Sequence, residues 1–298
     1  MAYKNVTVAG SGVLGYQIAF QTAFHGFNVT VYDINDEVLE KAKAKFAELS
    51  EAFQTDLNAT PEQLDKTFKN LNYTSDLKAS VKDADLMIEA VPENPTIKID
   101  FYKKLAKVAP EKTIFVTNSS TLLPSQFAHA TGRPSQFLAL HFANNIWKHN
   151  TAEIMGHPTT DTKVFDDVVA FAKAIGMLAL PLHKEQPGYI LNTLLVPLLR
   201  AGLELLIKGV AEPETIDKTW MKATGAPIGP IAILDTVGIT TAYNIYKLSA
   251  EKTKNPDAIK TIKYLKENFI DKNKLGVSTG EGFYKYPNPA YKDPDFLN

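Results

Sequence analysis

The sequence predicts an α/β domain with a parallel sheet at residues 1–184, followed by an all-helical domain at 185–298. Three observations carry this. In the first half, short β-branched runs alternate with helix-periodic stretches, as in βαβ units whose sheet is covered on both faces. A breaker cluster, Lys184-Glu185-Gln186-Pro187-Gly188, then interrupts the pattern, and helical spacing dominates beyond it. The 298 residues are enough for two domains with cores of their own.

Taken in order, Val6–Val8 is a strand that runs into a glycine-rich turn. Ile18, Ala19, Thr22 and Ala23 then give helical spacing up to His25-Gly26. Val29–Tyr32 is a second strand, and a charged helix starts near Asp36. Leu86–Ile88, Ile114–Val116 and Phe137–Leu140 are compact apolar runs expected as strands, as is Thr151–Met155, and a helical stretch is expected from near Pro124. Beyond a linker at 183–187, helices are expected at Tyr189–Ile207 (despite Pro197), Pro213–Ala223, Ile231–Leu248 and Asp257–Phe269.

Composition narrows the function. Apolar residues at 45% and charged residues at 22% place the chain among globular proteins and exclude disordered or fibrous classes. A formal charge of −1 offers no basic excess for a polyanion, so nucleic acid is not expected as a partner. With no cysteine there are no disulfides, thiol nucleophiles or thiolate metal sites, and no metal is expected. The start lacks an apolar signal-like region, and the longest apolar stretches read as interrupted short of a membrane span. A cytoplasmic protein without a membrane partner is the expectation.

Gly10-Ser11-Gly12-Val13-Leu14-Gly15 matches G-x-G-x-x-G. Alone the pattern is weak, but here it follows a strand, opens a helix, and has Asp33 at the end of the next strand, as a Rossmann-type dinucleotide site requires. Gly10 permits the tight turn, Gly12 lets backbone approach a pyrophosphate, and Gly15 lets helix and strand pack closely. The helix N-terminus offers free N–H groups to phosphate. Asp33 would accept from ribose hydroxyls and repel a 2′-phosphate. No Lys or Arg follows in Ile34-Asn35-Asp36-Glu37, so NAD is expected over NADP. A glycine turn without cofactor is the alternative for the motif by itself.

Of six histidines, His141 stands out because it ends the apolar run Phe137–Leu140, and ligands gather beyond the carboxyl ends of strands in open α/β sheets. Asn118-Ser119-Ser120 follows Ile114–Val116 in the equivalent position. From pattern alone, His141 reads equally as structural or functional, and Asn118–Ser120 reads more readily as a helix cap. Glu153 reads as an outward polar position in its strand, Lys98 as a solvated lysine, and Asn192 as a polar residue on a helix beside the linker.

A longer series of motifs changes that balance. The segments are Ile88-Glu89-Ala90-Val91-Pro92-Glu93-Asn94, Asn118-Ser119-Ser120-Thr121, His141-Phe142-Ala143-Asn144, Glu153 and Pro187-Gly188-Tyr189-Ile190-Leu191-Asn192. Gly225–Pro230, Leu234–Gly238 and Thr279–Tyr284 continue it. In order and spacing, from the first strand to about Tyr286, the chain resembles the L-3-hydroxyacyl-CoA dehydrogenases. The resemblance implies that His141 moves the substrate's 3-hydroxyl proton while hydride passes between C3 and the nicotinamide, and that Glu153 fixes the imidazole. Ser120 and Asn192 would donate to the substrate oxygen. Glu93, Lys98, Asn118, Ser120 and Asn144 would surround the nicotinamide half of the cofactor. A homodimer is implied as well.

Three departures bear on the substrate. The apolar stretch that follows the family's His-Phe is here Phe142-Ala143-Asn144-Asn145-Ile146-Trp147-Lys148-His149-Asn150. No Lys or Arg lies between Lys45 and Lys66, where Glu48, Glu51 and Asp56 stand instead, and Ser278 replaces a frequent basic residue. CoA is a multiply charged anion, so missing cations matter. Two substrates are therefore expected: a short 3-hydroxyacyl-CoA, or a small free 3-hydroxy acid as in the gulonate and carnitine dehydrogenases. A dinucleotide-binding protein without turnover is a third reading, opposed by the intact Ser120, His141, Glu153 and Asn192.

Overall fold

The computed structural model describes residues 3–298, apart from the side chains of residues 248, 249, 252 and 253; Met1 and Ala2, the first residues of the start expected to lack a signal-like region, lie outside it. The chain divides into two compact units after Ile190, slightly beyond the linker expected at 183–187.

The first unit begins with β1 (Asn5–Ala9), α1 (Gly15–Phe24), β2 (Asn28–Tyr32), α2 (Asp36–Leu57), α3 (Pro61–Lys69), β3 (Leu71–Thr74) and α4 (Leu77–Val81). It continues through β4 (Leu86–Glu89), α5 (Pro95–Leu105), β5 (Ile114–Thr117), β6 (Phe137–Phe142), β7 (Thr151–Met155), α6 (Thr162–Ala174) and β8 (Leu178–Leu182) to the start of α7 (Tyr189–Ile207). The strands form one sheet in the order β3-β2-β1-β4-β5-β6-β7-β8, the Rossmann-type arrangement with two added strands. All neighbours are parallel except β6 and β7.

β4, β5 and β6 are buried along their whole length, which is why they read as continuous apolar runs without alternation. Period-2 geometry still sorts their side chains. Ile88, Val116, Leu138 and Leu140 pack with Phe20 of α1, Phe46 and Phe53 of α2 and Phe171 of α6. Met87, Phe115 and Phe137 pack with Phe101, Tyr102 and Leu105 of α5. Each such buried side chain contributes about 1.5–3 kcal/mol relative to exposure. His141 has the parity of Phe137, so it shares the α5 face of the sheet.

The helices start where capping chemistry allows. The Asn35 side chain accepts from Val38 N at α2, Thr60 and Gln63 form a capping box at α3, and Asn94 caps α5. The structure also departs from the pattern reading. β3 and β8 were not expected; they are the two sheet edges, part exposed, and β8 contains Pro181, which an edge tolerates. The stretch from Pro124 forms only short 3₁₀ turns at Pro124–Gln126 and Ala128–Ala130.

The second unit comprises the rest of α7, α8 (Pro213–Thr224), α9 (Pro230–Val237), α10 (Ile239–Thr253), α11 (Pro256–Asn268) and a C-terminal tail. The helix expected over Ile231–Leu248 is broken at Gly238, whose φ of 94° ends α9 and starts α10. Two buried carboxylates organise this unit. Asp217 accepts from Ile231 N (2.8 Å) and Ala232 N (2.9 Å), capping α9, whose own N-cap Gly229 has no side chain, and Tyr284 OH donates to it at 2.8 Å. Asp235 accepts from the backbone of Phe283 and Tyr284, both at 2.8 Å, and from Tyr286 OH. A Cβ at Gly229 would collide with Asp217 and one at Gly282 with Asp235, so the glycines of these motifs make room for carboxylates. Contrary to the expectation of interrupted apolar stretches, α7 is by length and composition apolar enough to cross a membrane. Its two charges, Arg200 and Glu204, pair with each other at 2.8 Å.

Candidate active site

β5 and β6 are adjacent parallel strands, so the segments after them emerge at the same end of the sheet. Asn118-Ser119-Ser120 leaves β5 there, and His141 lies at the end of β6. The sheet order reverses between β1 and β4, and ligands of open α/β sheets bind beyond the strand ends at such a switch point.

His141 and Glu153 are directly opposed across the β6–β7 ladder, which puts both side chains on one face. Imidazole Nδ1 lies 3.0 Å from Glu153 Oε2 and Nε2 lies 3.2 Å from Ser120 Oγ; the two side chains are 5% and 4% exposed. Glu153 is therefore no outward strand position: the antiparallel turn of the sheet at β7 directs it inward. With Nδ1–H given to the carboxylate, Nε2 is the nitrogen that faces a hydroxyl. Glu153 Oε1 accepts from Ile190 N at 2.9 Å.

Tyr189 has no role assigned from sequence. Tyr189, fully buried, stacks on the His141 ring with centroids 4.4 Å apart and planes 14° apart, and its OH donates to Ser119 O at 2.8 Å. Its φ of 55° is left-handed, an uncommon conformation for an aromatic residue. The Pro187-Gly188 pair before it is the available signal; from sequence it reads as a linker breaker and as part of a family motif in which only Asn192 carries a role. Asn192 lies on α7 in the second unit.

The expected cofactor residues cluster at the switch point. Gly10 has φ 98°, and a Cβ there would strike the Ala90 carbonyl; a Cβ on Gly15 would strike the Gly10 carbonyl. At Gly12 nothing lies within 4 Å of the same position, so that glycine leaves open space on the side where a pyrophosphate would approach. α1 has no side-chain cap at its N-terminus, the end of a helix that favours an anion. Asp33 accepts from Ser11 N (2.7 Å) and Ser11 Oγ (2.6 Å), which fixes its carboxylate beside the glycine turn. Val13 and Leu14 complete the turn, with Val13 exposed. These residues fit NAD.

Asn118 Oδ1 accepts from Phe142 N at 3.0 Å and so ties the ends of β5 and β6 together. Asn144 accepts from Gln17 Nε2 at 3.2 Å. Gln17, not singled out from sequence, also donates to Val13 O and accepts from Asn145 N, both at 2.9 Å, which links the glycine turn to the loop after His141. Glu93 Oε1 accepts from Ser119 Oγ (2.5 Å) and from Thr121 N and Oγ1 (both 2.9 Å). Burial pushes the Glu93 carboxyl up, but the Ser119 hydroxyl, the Lys98 ammonium and Thr121 outweigh it and hold it below the usual range. Lys98 is not the solvated lysine its lone position suggested; it is 1% exposed.

The family model described as 3-hydroxyacyl-CoA dehydrogenase, NAD binding domain, matches residues 5–186, and the corresponding C-terminal domain matches residues 188–286. The mitochondrial hydroxyacyl-coenzyme A dehydrogenase of Homo sapiens is 35% identical over 292 residues, covering 95% of this chain and 91% of that one. The probable 3-hydroxybutyryl-CoA dehydrogenase of Bacillus subtilis is 30% identical, covering 96% of this chain and 98% of that one. Among solved structures, a diketoreductase described in terms of substrate-directed dual catalysis of dicarbonyl compounds is 55% identical with a TM-score of 0.91, covering 96% of this chain and 100% of that one.

Proposed function

The chain belongs to the 3-hydroxyacyl-CoA dehydrogenase family, and we propose that it interconverts the 3-hydroxy and 3-oxo forms of a short acyl compound with His141 as its acid–base residue. The observation that carries this is the Glu153–His141–Ser120 array, at 3.0 and 3.2 Å. NAD, when bound, supplies the hydride acceptor, and in its reduced form the donor. In oxidation His141 Nε2 takes the proton of the substrate hydroxyl; in reduction it returns one to the new alkoxide. Glu153 holds the tautomer and stabilises the imidazolium, while Ser120 Oγ donates to the oxygen as charge develops. Glu93, Asn118 and Asn144 are assigned to the nicotinamide half. Asn192 enters the proposal as a second donor on its family motif alone.

For the group beyond the acyl chain, family membership supports a CoA thioester. A second reading, a small free 3-hydroxy acid or 1,3-dicarbonyl compound, is favoured by one contact. Asp56, in the α2 stretch devoid of Lys and Arg, takes up Lys148 Nζ and Trp147 Nε1, both at 2.8 Å. The cation of the loop after His141 is thus already neutralised, and little positive charge remains there for a CoA phosphate. The likeness to a diketoreductase supports the same reading. NADH oxidation followed in parallel with acetoacetyl-CoA, acetoacetate, dehydrocarnitine, a sugar keto acid and a 3,5-dioxo ester decides between them. Turnover of acetoacetyl-CoA alone selects the thioester, turnover of uncharged or free-acid substrates alone selects the second reading, and no turnover of any defeats both.

The exposed apolar side chains of α7, Leu194 at 69% and Leu205 at 41%, support pairing of two copies through the second unit. Light scattering is expected to give twice the mass of one chain; a single-chain mass at micromolar concentration would refute it.

A further inference from the structure

Residues 189 and 190 together bear on all three members of the Glu153–His141–Ser120 array. The Tyr189 ring lies face to face with the imidazole of His141, and the Ile190 amide donates to Glu153 Oε1 at 2.9 Å. The Tyr189 hydroxyl donates at 2.8 Å to the carbonyl of Ser119, the residue before Ser120. All of these groups belong to the first unit. They hold a backbone that residues with a Cβ rarely adopt: Tyr189 sits at φ 55°, with its own amide donating to Gln186 O at 3.0 Å. Such a conformation persists only where its surroundings over-determine it.

The imidazole has a use for this neighbour. Its contact with Glu153 fixes Nδ1, but a single hydrogen bond lets the ring swing about it, and a swing carries Nε2 away from the Ser120 hydroxyl. A nearly parallel ring at a centroid spacing of 4.4 Å blocks that motion on one face. An aromatic face also attracts the imidazolium that forms when the proton is taken up. The hydroxyl adds a second constraint, because it ties the same ring to the turn that carries Ser120. Burial, with the carboxylates of Glu93, Glu153, Glu89 and Glu185 adding to it, pushes the Tyr189 hydroxyl far up, which keeps it a fixed donor to Ser119 O.

We propose that Tyr189 is a positioning residue for the reaction: its ring face sets the plane of His141, and its hydroxyl anchors that ring to the Ser119–Ser120 turn, so that Nε2 and Ser120 Oγ stay aligned on one substrate oxygen. The proposal rests on the reading of His141 as the acid–base residue.

Steady-state kinetics of the intact protein tests it, with whichever of the five compounds of the NADH assay turns over fastest. Y189L, which loses ring and hydroxyl, is expected to lower kcat roughly tenfold or more, as misplacement of a reacting group does, with KM and NADH affinity unchanged. Y189F keeps the ring and is expected to lose about threefold, the scale of one neutral hydrogen bond. In an H141Q background neither substitution is expected to cost anything further, because the ring each would misplace is gone. Losses that multiply with H141Q, or NADH affinity that falls along with kcat, would make Tyr189 a structural residue and overturn the proposal. Wild-type kcat in Y189L or in Y189F would overturn it too, and a Y189F as slow as H141Q would make the hydroxyl a proton donor instead. Near-full turnover in H141Q strikes the acid–base reading itself, whereas a slow H141Q with silent Tyr189 variants strikes the positioning role alone. Should Y189L fold poorly, Y189F and Y189F/H141Q carry the test.

Discussion

Glu153 faces His141 across the β6–β7 ladder, the single antiparallel pairing of the sheet among the described strands, and its carboxylate lies 3.0 Å from the imidazole Nδ1. The eleven intervening residues place the pair without asking a flexible loop to hold either member. His141→Gln is expected to lower kcat roughly 10²-fold or more, in line with loss of a positioned acid–base group. Glu153→Gln should cost less, because the amide still accepts a hydrogen bond from Nδ1–H but no longer stabilises the imidazolium. Steady-state kinetics with any accepted substrate checks both, and near-full turnover in H141Q removes that residue from the role.

The three glycines of the turn are expected to part company on substitution. Gly12→Ala meets no neighbour within 4 Å and should leave the melting temperature unchanged, while weakening NADH about tenfold or more by blocking backbone hydrogen bonds to phosphate. Gly15→Ala forces a methyl onto the Gly10 carbonyl and should destabilise the fold by roughly 1–3 kcal/mol. Thermal melts paired with NADH titrations separate the two effects; a destabilised G12A would place the open space elsewhere.

Asp33→Ala removes the carboxylate that Ser11 holds at 2.6 and 2.7 Å. NADH is expected to bind about tenfold more weakly, and NADPH to gain relative to it, since the repulsion of a 2′-phosphate goes with the charge. Side-by-side titrations of the two cofactors give the ratio, and an unchanged ratio contradicts the assignment.

The second unit carries a pH signature opposite to that of ordinary salt-bridged carboxylates. Burial raises both Asp217 and Asp235 above the usual value of 3.8, against the lowering effect of the hydrogen bonds each accepts. A carboxyl that is harder to ionise in the folded chain opposes folding wherever it is ionised. That penalty is complete above the raised folded value, shrinks as pH falls through it, and is gone below 3.8. Melting of the unit should therefore shift upward on moving from neutral to weakly acidic buffer. A melting temperature that only falls over that range would contradict it.

The parts of the site legible in the sequence were those fixed by local rules. Gly10, Gly12, Gly15 and Asp33 announce themselves because turn geometry and strand alternation act over short spans, and His141 because it ends an apolar run. Glu153 and Lys98 could be read only through resemblance, since their roles depend on a ladder register and a buried network that no local period encodes. Tyr189 was passed over because its ring position depends on a left-handed backbone after Pro187-Gly188. The edge strands β3 and β8 were lost for a similar reason: half-exposed edges lack both the continuous apolar run and the clean alternation that mark a strand. Asp217 and Asp235 gave no sign of burial, because the glycines that admit them lie far away in sequence.

The loop of residues 143–150 leaves β6 just after His141 and returns at β7 just before Glu153. Its ends are clamped by the same ladder that aligns the proton-handling pair, so its length and composition can drift while the pair stays in register. A lineage could thus explore new acyl partners by rewriting residues 145–150 without relearning its chemistry, and a laboratory library confined to those positions, with Asn144 kept, would search selectivity with catalysis held constant.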